Sequence, residues 1–318
     1  MIVTFLGTSS GAPTTKRNVS GIALRFRQRA KWWLFDCGEG TQHQILHAPV
    51  KASQLEKIFI THLHGDHLYG LIGLLASRSL RGGAASGVAL YGPPGIKEYV
   101  EAIMAVSPVH LQYDLAIHTI RPGVVCEDEE LVVEAAAVRH RIPAYAYAIK
   151  EKPRPGAFRV DLAKEAGIPP GPLYGLLKNG ERVELPDGRT VDGNEFVGPQ
   201  IPGRKVVYSG DTEPCQAIID LARDADLLIH EATYAHAEKE LARRAGHSTA
   251  LEAAQIARQA DVNQLVLTHF SPRYENDEGF SLADLLAEAR SVFPLTELAS
   301  DFSSHEIRRE RQMVGEKE

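Results

Sequence analysis

The sequence predicts an α/β fold arranged as a two-layer duplicated sandwich, and three observations carry that prediction. Short β-branched or apolar runs alternate with helical stretches in both halves of the 318-residue chain. In both halves, strand runs end in polar residues. One stretch, 151–200, breaks the alternation with seven prolines and many glycines; it is an unlikely core element and reads as an insertion projecting from the sandwich. The expected organisation is a single domain over 1–318 with one arm at about 151–200.

The bulk numbers narrow the class. Apolar residues make up 44% of the chain, ordinary for a globular protein with a sizeable core. The formal net charge of −6 argues only weakly against a polyanionic partner, because a local basic surface still binds nucleic acid. Cys37, Cys126 and Cys215 are odd in number and scattered, which predicts free thiols in a reducing cytosol. The opening Met1–Gly7 reads as a strand and lacks the charged start of a signal peptide. No apolar run is long enough to span a bilayer. A cytoplasmic protein with no membrane partner is expected.

Taken in order, residues 2–6 form a strand, 7–13 a loop, and Thr14–Asn18 a basic loop tip. Strands follow at 21–27 and 32–36. Asp36, followed by Gly38 and Gly40, sits where a carboxylate can brace a metal ligand from behind. Lys57–Ile60 is a buried strand and Leu68–Leu80 a helix. Between them lies Thr61-His62-Leu63-His64-Gly65-Asp66-His67. Then come a strand at 88–91, a helix at 96–104, and strands through Ile117, Val124, Leu131 and 135–138, with His140 just beyond. Tyr145–Ile149 alternates as a strand. After the insertion, the strand 205–208 runs into Asp211. The strand 226–229 runs into His230-Glu231-Ala232-Thr233. Gly246-His247-Ser248-Thr249 opens a helix to Ala260, with Ser248 or Thr249 as its cap. The strand 265–268 ends at His269, a helix covers 282–292, and the charged tail from Arg308 is expected to fray.

The turn at 61–67 carries the chemistry. Four groups that bind metals fall within six residues, His62 to His67. On an extended segment His62 and His64 point the same way, and Gly65 permits the turn that brings Asp66 and His67 round. This suits two neighbouring metals, and imidazole with carboxylate favours zinc. H-x-H-x-D-H after a hydrophobic strand resembles the metallo-β-lactamase superfamily. That resemblance implies an αββα sandwich with a metal-dependent hydrolytic site. It also implies a ligand set: His62, His64 and His140 for one metal, Asp66, His67 and His269 for the other, and Asp211 bridging. Two such ions acidify a shared water and neutralise charge on a phosphoryl or carbonyl oxygen. His247 at its helix start, with Glu231 to orient and charge it, is placed to protonate a leaving alkoxide.

Four further features narrow the resemblance. They are His-Glu-Ala-Thr at 230–233, Gly-His-Ser-Thr at 246–249, the insertion with Gly175-Leu176-Leu177-Lys178-Asn179-Gly180, and Pro-Thr-Thr-Lys-Arg-Asn at 13–18. Together they resemble the tRNA 3′-end processing endonucleases, the ribonuclease Z or tRNase Z family, in its short form. The resemblance runs over nearly the whole chain. One departure is visible: the family's loop is often Pro-x-Lys-x-Arg-Asn, whereas here Thr15 takes the lysine place and Lys16 follows. The resemblance implies a flexible arm, or exosite, that grips tRNA. Residues 150–182 carry seven basic against four acidic side chains, a net of +3. Lys16, Arg17 and Asn18 in the loop, and Lys152, Arg154, Arg159 and Lys178 in the arm, are the candidate RNA contacts.

The function so implied is a zinc-dependent endoribonuclease that removes the 3′ trailer from precursor tRNA. It would leave a 3′-hydroxyl on the tRNA and a 5′-phosphate on the trailer, by attack of a dimetal-activated hydroxide. Asp66, His247 and Glu231 are the catalytic candidates. Two zinc ions per subunit are implied, with manganese also suited to these ligands, and a homodimer in which one arm holds tRNA for the partner's site. The alternative is a small-molecule hydrolase of the same fold, acting on thioesters, lactones or phosphodiesters; it predicts no basic arm. A non-catalytic RNA-binding module would lack ligands, and all seven are present.

Overall fold

The central apolar runs pair as strands whose two faces are largely covered, while the strands Leu115–Thr119, Gly123–Glu127 and Arg182–Glu184 are mostly exposed. In the computed structural model, which describes residues 1–81, 86–275 and 279–308 (for Arg81, the backbone only), β1 (Ile2–Gly7), β2 (Gly21–Arg25), β3 (Trp32–Phe35), β4 (Leu55–Phe59), β5 (Val88–Gly92) and β6 (Leu115–Thr119) build the first sheet. The second sheet takes β7 (Gly123–Glu127), β8 (Leu131–Val138) and β9 (Ala144–Glu151). A separate hairpin joins β10 (Arg182–Glu184) and β11 (Thr190–Asp192). The second sheet is completed by β12 (Lys205–Tyr208), β13 (Leu227–Glu231), β14 (Leu265–Thr268) and β15 (Thr296–Leu298), while β16 (Ser304–Glu306) returns to the edge of the first. Among the described residues each sheet has seven strands, in the orders β16-β1-β2-β3-β4-β5-β6 and β15-β14-β13-β12-β9-β8-β7. The tail expected to fray lies, past Arg308, outside the described residues.

Side-chain alternation sorts the strands' residues into layers. Leu34, Ile58 and Leu90 join a core with Ile45, Leu71, Leu75 and Val100 from the helices Thr41–His47, Leu71–Arg81 and Ile96–Val106. Ala146, Ala148, Val207, Leu228 and Leu267 join a second core with Ile218, Ala253, Ala257 and Leu285 from the helices Gln216–Ala222, Ala250–Gln259 and Leu282–Val292. The remaining faces meet in an aromatic seam. Phe59 stacks on Phe35 at 4.8 Å and on Tyr91 at 5.0 Å, and Tyr147 of the other sheet meets it edge-on at 5.4 Å. The Tyr147 hydroxyl donates to the Ile60 carbonyl at 2.7 Å, so the seam fixes the sheets to each other beside the start of the 61–67 turn. The result is the αββα metallo-β-lactamase sandwich.

Two expectations need correction. The helix predicted over 68–80 is broken at Tyr69–Gly70 into Gly65–Leu68 and Leu71–Arg81. Gly70 approaches another backbone so closely that a Cβ there would lie 2.0 Å from the Gly38 carbonyl oxygen, and its N–H donates to Cys37 at 2.9 Å. The Pro- and Gly-rich stretch does contain a core. Residues 129–131 and 151–203 form their own compact unit, in which Ala163, Ile168, Leu177, Val183, Leu185 and Phe196 are buried together. The prolines bound its elements: Pro172 caps the helix Leu173–Lys178 instead of interrupting it. The other unit is residues 1–128, 132–150 and 204 onward.

Helix Ala250–Gln259 starts on Thr249, not Ser248, through a reciprocal pair of bonds with Glu252. No helix among the described residues is long and apolar enough to cross a membrane. Gly70→Ala should destabilise the protein by about 1–3 kcal/mol by forcing the 37–38 loop outward. An unchanged urea midpoint would show that the loop yields freely.

Candidate metal centre

The centre is assembled at strand ends. β3 and β4 run parallel, as do β12, β13 and β14, so their carboxyl ends share an edge in each sheet. Asp36 follows β3, the 61–67 turn follows β4, Asp211 follows β12, Glu231 ends β13 and His269 follows β14. That edge is where open α/β sheets place their ligands. β8 lies antiparallel to β9, which is itself antiparallel to β12, so β8 runs the same way as β12 and His140 follows its carboxyl end at the same edge.

The structure brings all seven predicted metal-ligating residues together, in two groups that share Asp211. His62, His64, His140 and Asp211 form one, and Asp66, His67, His269 and Asp211 the other, with the donor atoms of each group within 4.8 Å of one another. His64 Nδ1 lies 3.0 Å from His62 Nε2 and 3.1 Å from His140 Nε2, and His62 Nε2 is 3.5 Å from Asp211 Oδ2. In the second group His269 Nε2 lies 3.2 Å from His67 Nε2 and 3.3 Å from Asp66 Oδ2, and His67 Nε2 lies 3.3 Å from Asp211 Oδ2. Asp211 Oδ1 is buried and accepts no hydrogen bond. A buried carboxylate oxygen that accepts no hydrogen bond, beside converging imidazole nitrogens, fits divalent cations at these groups.

Surrounding groups fix four of the five imidazoles, His62, His67, His140 and His269. Asp36, fully buried and held at φ 55°, accepts from the Thr61 N–H at 2.7 Å and the Tyr208 hydroxyl at 2.9 Å, and faces His67 Nδ1 at 2.7 Å. His140 Nδ1 donates to the Gly246 carbonyl at 2.7 Å, which leaves Nε2 as the free lone pair. His62 Nδ1 meets the Thr61 hydroxyl at 3.0 Å, and His269 Nδ1 the Thr233 hydroxyl at 2.9 Å. Burial, with repulsion from neighbouring imidazoles, pushes His62, His64 and His140 below the usual histidine range, so they are neutral as ligands must be. Burial opposes charge on His67 too, but Asp211, Asp66 and Asp36 hold it well above that range. Asp66 Oδ2 also accepts the Gly11 N–H at 2.8 Å. Sequence reasoning found Asp36 as a brace but missed Thr61, Tyr208, Thr233 and the Gly246 carbonyl. Thr61 and Thr233 lie inside quoted motifs; Tyr208 is 172 residues from its partner Asp36 and gives no local signal.

His247 and Glu231 are joined. His247 Nδ1 lies 2.8 Å from Glu231 Oε1, which also accepts the Thr212 N–H at 3.0 Å. Glu231 Oε2 accepts the Thr233 N–H at 3.1 Å and hydroxyl at 2.7 Å. With its carboxylate so held, Glu231 presents one oxygen to the ring and leaves His247 Nε2 as the free edge. Burial works against a charged His247, yet the Glu231 carboxylate and its hydrogen bond, with Asp211 behind, raise it to about 9. His247, His64, Asp66, Asp211 and His269 line one cleft of about 410 Å³, together with Gly11, Glu39, Tyr69 and Arg141.

The predicted RNA contacts differ in character. Arg17 turns inward: Nη1 donates to Thr8 Oγ1 at 2.7 Å and to the Ala299 carbonyl at 2.8 Å, and Nε pairs with Glu275 at 3.0 Å. Asn18 donates to the Glu39 carbonyl at 2.8 Å. Lys16 is the exposed member of that trio. Arg154 pairs with Glu130 and Arg159 with Asp161, while Lys152 is half-buried and Lys178 exposed.

Comparison with known proteins places this geometry in context. The Beta-lactamase superfamily domain matches residues 31–164 and 186–270. The chain is 65% identical over 312 residues to "Ribonuclease Z" of Brevibacillus brevis, covering 98% of each. It is 54% identical over 309 residues to "Ribonuclease Z" of Trichodesmium erythraeum, covering 97% of this chain and 96% of that one. Among solved structures, human tRNase Z, short form, aligns over 97% of this chain and 100% of its own at 30% identity and a TM-score of 0.71.

The dyad gives a pH prediction. Because His247 titrates near 9 instead of 6.5, its pairing with Glu231 stabilises the fold fully below the ordinary value and loses that effect as pH rises through about 9. Glu231→Gln removes the charge and leaves the burial, so the midpoint in metal-free protein should fall below 6.5 by imidazole NMR. A midpoint still near 9 would contradict the assignment of the shift to Glu231.

Proposed function

The chain belongs to the ribonuclease Z family, nucleases of metallo-β-lactamase fold, and from that premise we propose that it removes the 3′ trailer from precursor tRNA with two zinc ions at the paired ligand groups. The observation that carries the reading is the convergence of His62, His64, His140, Asp66, His67 and His269 on the shared Asp211. Bound there, two divalent cations supply an acidified water and neutralise charge on a phosphoryl oxygen; manganese suits the same ligands.

The chain's own groups do the rest. Asp66, with its carboxylate fixed by the Gly11 N–H, takes the proton of the attacking water. The water oxygen bonds to phosphorus as the bond from phosphorus to the 3′-oxygen of the tRNA breaks. His247, an imidazolium while paired with Glu231, gives its proton to that 3′-oxygen, and Glu231 steadies the charge. The products are a 3′-hydroxyl on the tRNA and a 5′-phosphate on the trailer. Lys16 in the 13–18 loop and Lys152, Arg154, Arg159 and Lys178 in the 151–203 unit contact phosphates and position RNA by shape. Arg17 and Asn18 serve this indirectly, by holding the loop that carries Lys16. Family membership supports a homodimer, and the three free thiols support a cytoplasmic setting.

The test is cleavage of a 3′-extended precursor tRNA by zinc-loaded protein, with both product ends mapped. A cut at the acceptor end with a 3′-hydroxyl is expected. No cut, together with turnover of a thioester or lactone, would overturn the reading. Asp211→Ala should abolish cleavage and lower the zinc content measured by elemental analysis; full activity would sink the bridging role. Arg154 and Ile201 exchange backbone hydrogen bonds at 3.0 and 2.9 Å, so residues 155–200 can be replaced by a short glycine linker across that pair. Precursor cleavage should then fall at least about tenfold while a small phosphodiester is still hydrolysed; equal loss of both would argue against an RNA-gripping unit.

A further inference from the structure

We propose that Tyr69 is a stacking platform for a nucleobase beside the scissile phosphate, with Arg141 as the cation for a neighbouring phosphate. The proposal rests on the RNA-cutting reading above and adds a nucleotide subsite to it.

Most aromatic rings in this half of the fold are buried, Trp32, Trp33, Phe35, Phe59 and Tyr91 among them. Tyr69 is 66% exposed, and it lines the same cleft as His64, Asp66, Asp211, His247 and His269. It follows Asp66 by three residues, and its N–H donates to the Gly65 carbonyl at 2.8 Å, so its backbone is tied to the ligand turn. The ring rests where a side chain at residue 65 would be: a Cβ on Gly65 would lie 2.2 Å from Cε2 and 2.5 Å from Cζ of Tyr69. Gly65 therefore does two things. It permits the turn that presents Asp66 and His67, and it leaves a seat for the ring. A supported ring, exposed in the cleft of a dimetal centre, is a surface on which any base can stack, because every base has a π-face.

Arg141 supplies the complementary charge. It directly follows His140, is exposed, and lines the same cleft. A glycine makes room for it as well, since a Cβ on Gly246 would lie 3.0 Å from both Arg141 Cγ and His140 Nδ1. A base on Tyr69 and a phosphate at Arg141 would hold the strand on both sides of the cut while the scissile phosphate sits at the ligands.

The experiment measures KM and kcat on a 3′-extended precursor tRNA, and on the same RNA with an abasic nucleotide on one or the other side of the cut. Tyr69→Leu should raise KM about tenfold with kcat little changed, and Tyr69→Phe, which keeps the ring, should restore it. One of the abasic RNAs should cost the parent protein a similar factor, and on that RNA Tyr69→Leu should add no further loss. Arg141→Met should reduce the slope of log KM against log salt by about one. The thermal midpoint of Tyr69→Leu, checked alongside, should match the parent, given the exposure of the side chain. Equal loss by Tyr69→Leu on intact and abasic RNAs would show a merely structural role and overturn the stacking. A parent protein that cuts no intact precursor overturns the functional reading and this subsite with it, whereas a parent that cuts without Tyr69 dependence overturns the subsite alone.

Discussion

Five imidazoles and two carboxylates aimed at two points form an arrangement that costs free energy unless something positive sits between them. Imidazole nitrogens approach one another at 3.0 to 3.1 Å in the first group, and one buried oxygen of Asp211 accepts no hydrogen bond. The chain sustains this by bracing from behind. Asp36 alone ties together His67, Thr61 and Tyr208, which come from the ligand turn after β4 and from β12 of the other sheet. Its left-handed backbone is a strained geometry that surrounding contacts must impose. The aromatic seam beneath it provides that rigidity.

Stability and chemistry are thus divided along each strand. Alternate residues of β3, β4 and β9 feed the helix-facing cores and the seam, and the residues just past the strand ends carry the ligands. The same division explains Cys37. Its thiol is fully buried, and burial raises its pKa above the ordinary thiol range, so it is neither a nucleophile nor a ligand. Cys37 and Cys215 contribute packing to the helix-facing cores, and the ligand groups are built from nitrogen and oxygen.

The sequence made the ligands legible because they obey local rules. His62 and His64 share a face by period two, Gly65 marks the turn, and Asp211 and His269 each follow a short apolar run. The internal partners of Arg17 were not legible for a corresponding reason. Apart from Thr8, its partners Ala299 and Glu275, and Phe270 beneath its guanidinium at 5.2 Å, lie more than 250 residues away, so local spacing gives little sign of its inward turn. The core of the 151–203 unit was hidden by composition. Its apolar residues are spaced irregularly among prolines and glycines, and only in three dimensions do Ala163, Leu177 and Phe196 meet. The break at Gly70 was likewise invisible, because the carbonyl it approaches belongs to Gly38.

The central claim is that the braced cluster is a dimetal centre. Equilibrium dialysis of the metal-free chain against zinc, read by elemental analysis with X-ray absorption on the loaded protein, tests it directly. The account predicts two zinc ions per chain in a shell of nitrogen and oxygen without sulfur, at about 2.0–2.2 Å. Saturation at one ion, or sulfur among the ligands, would contradict it.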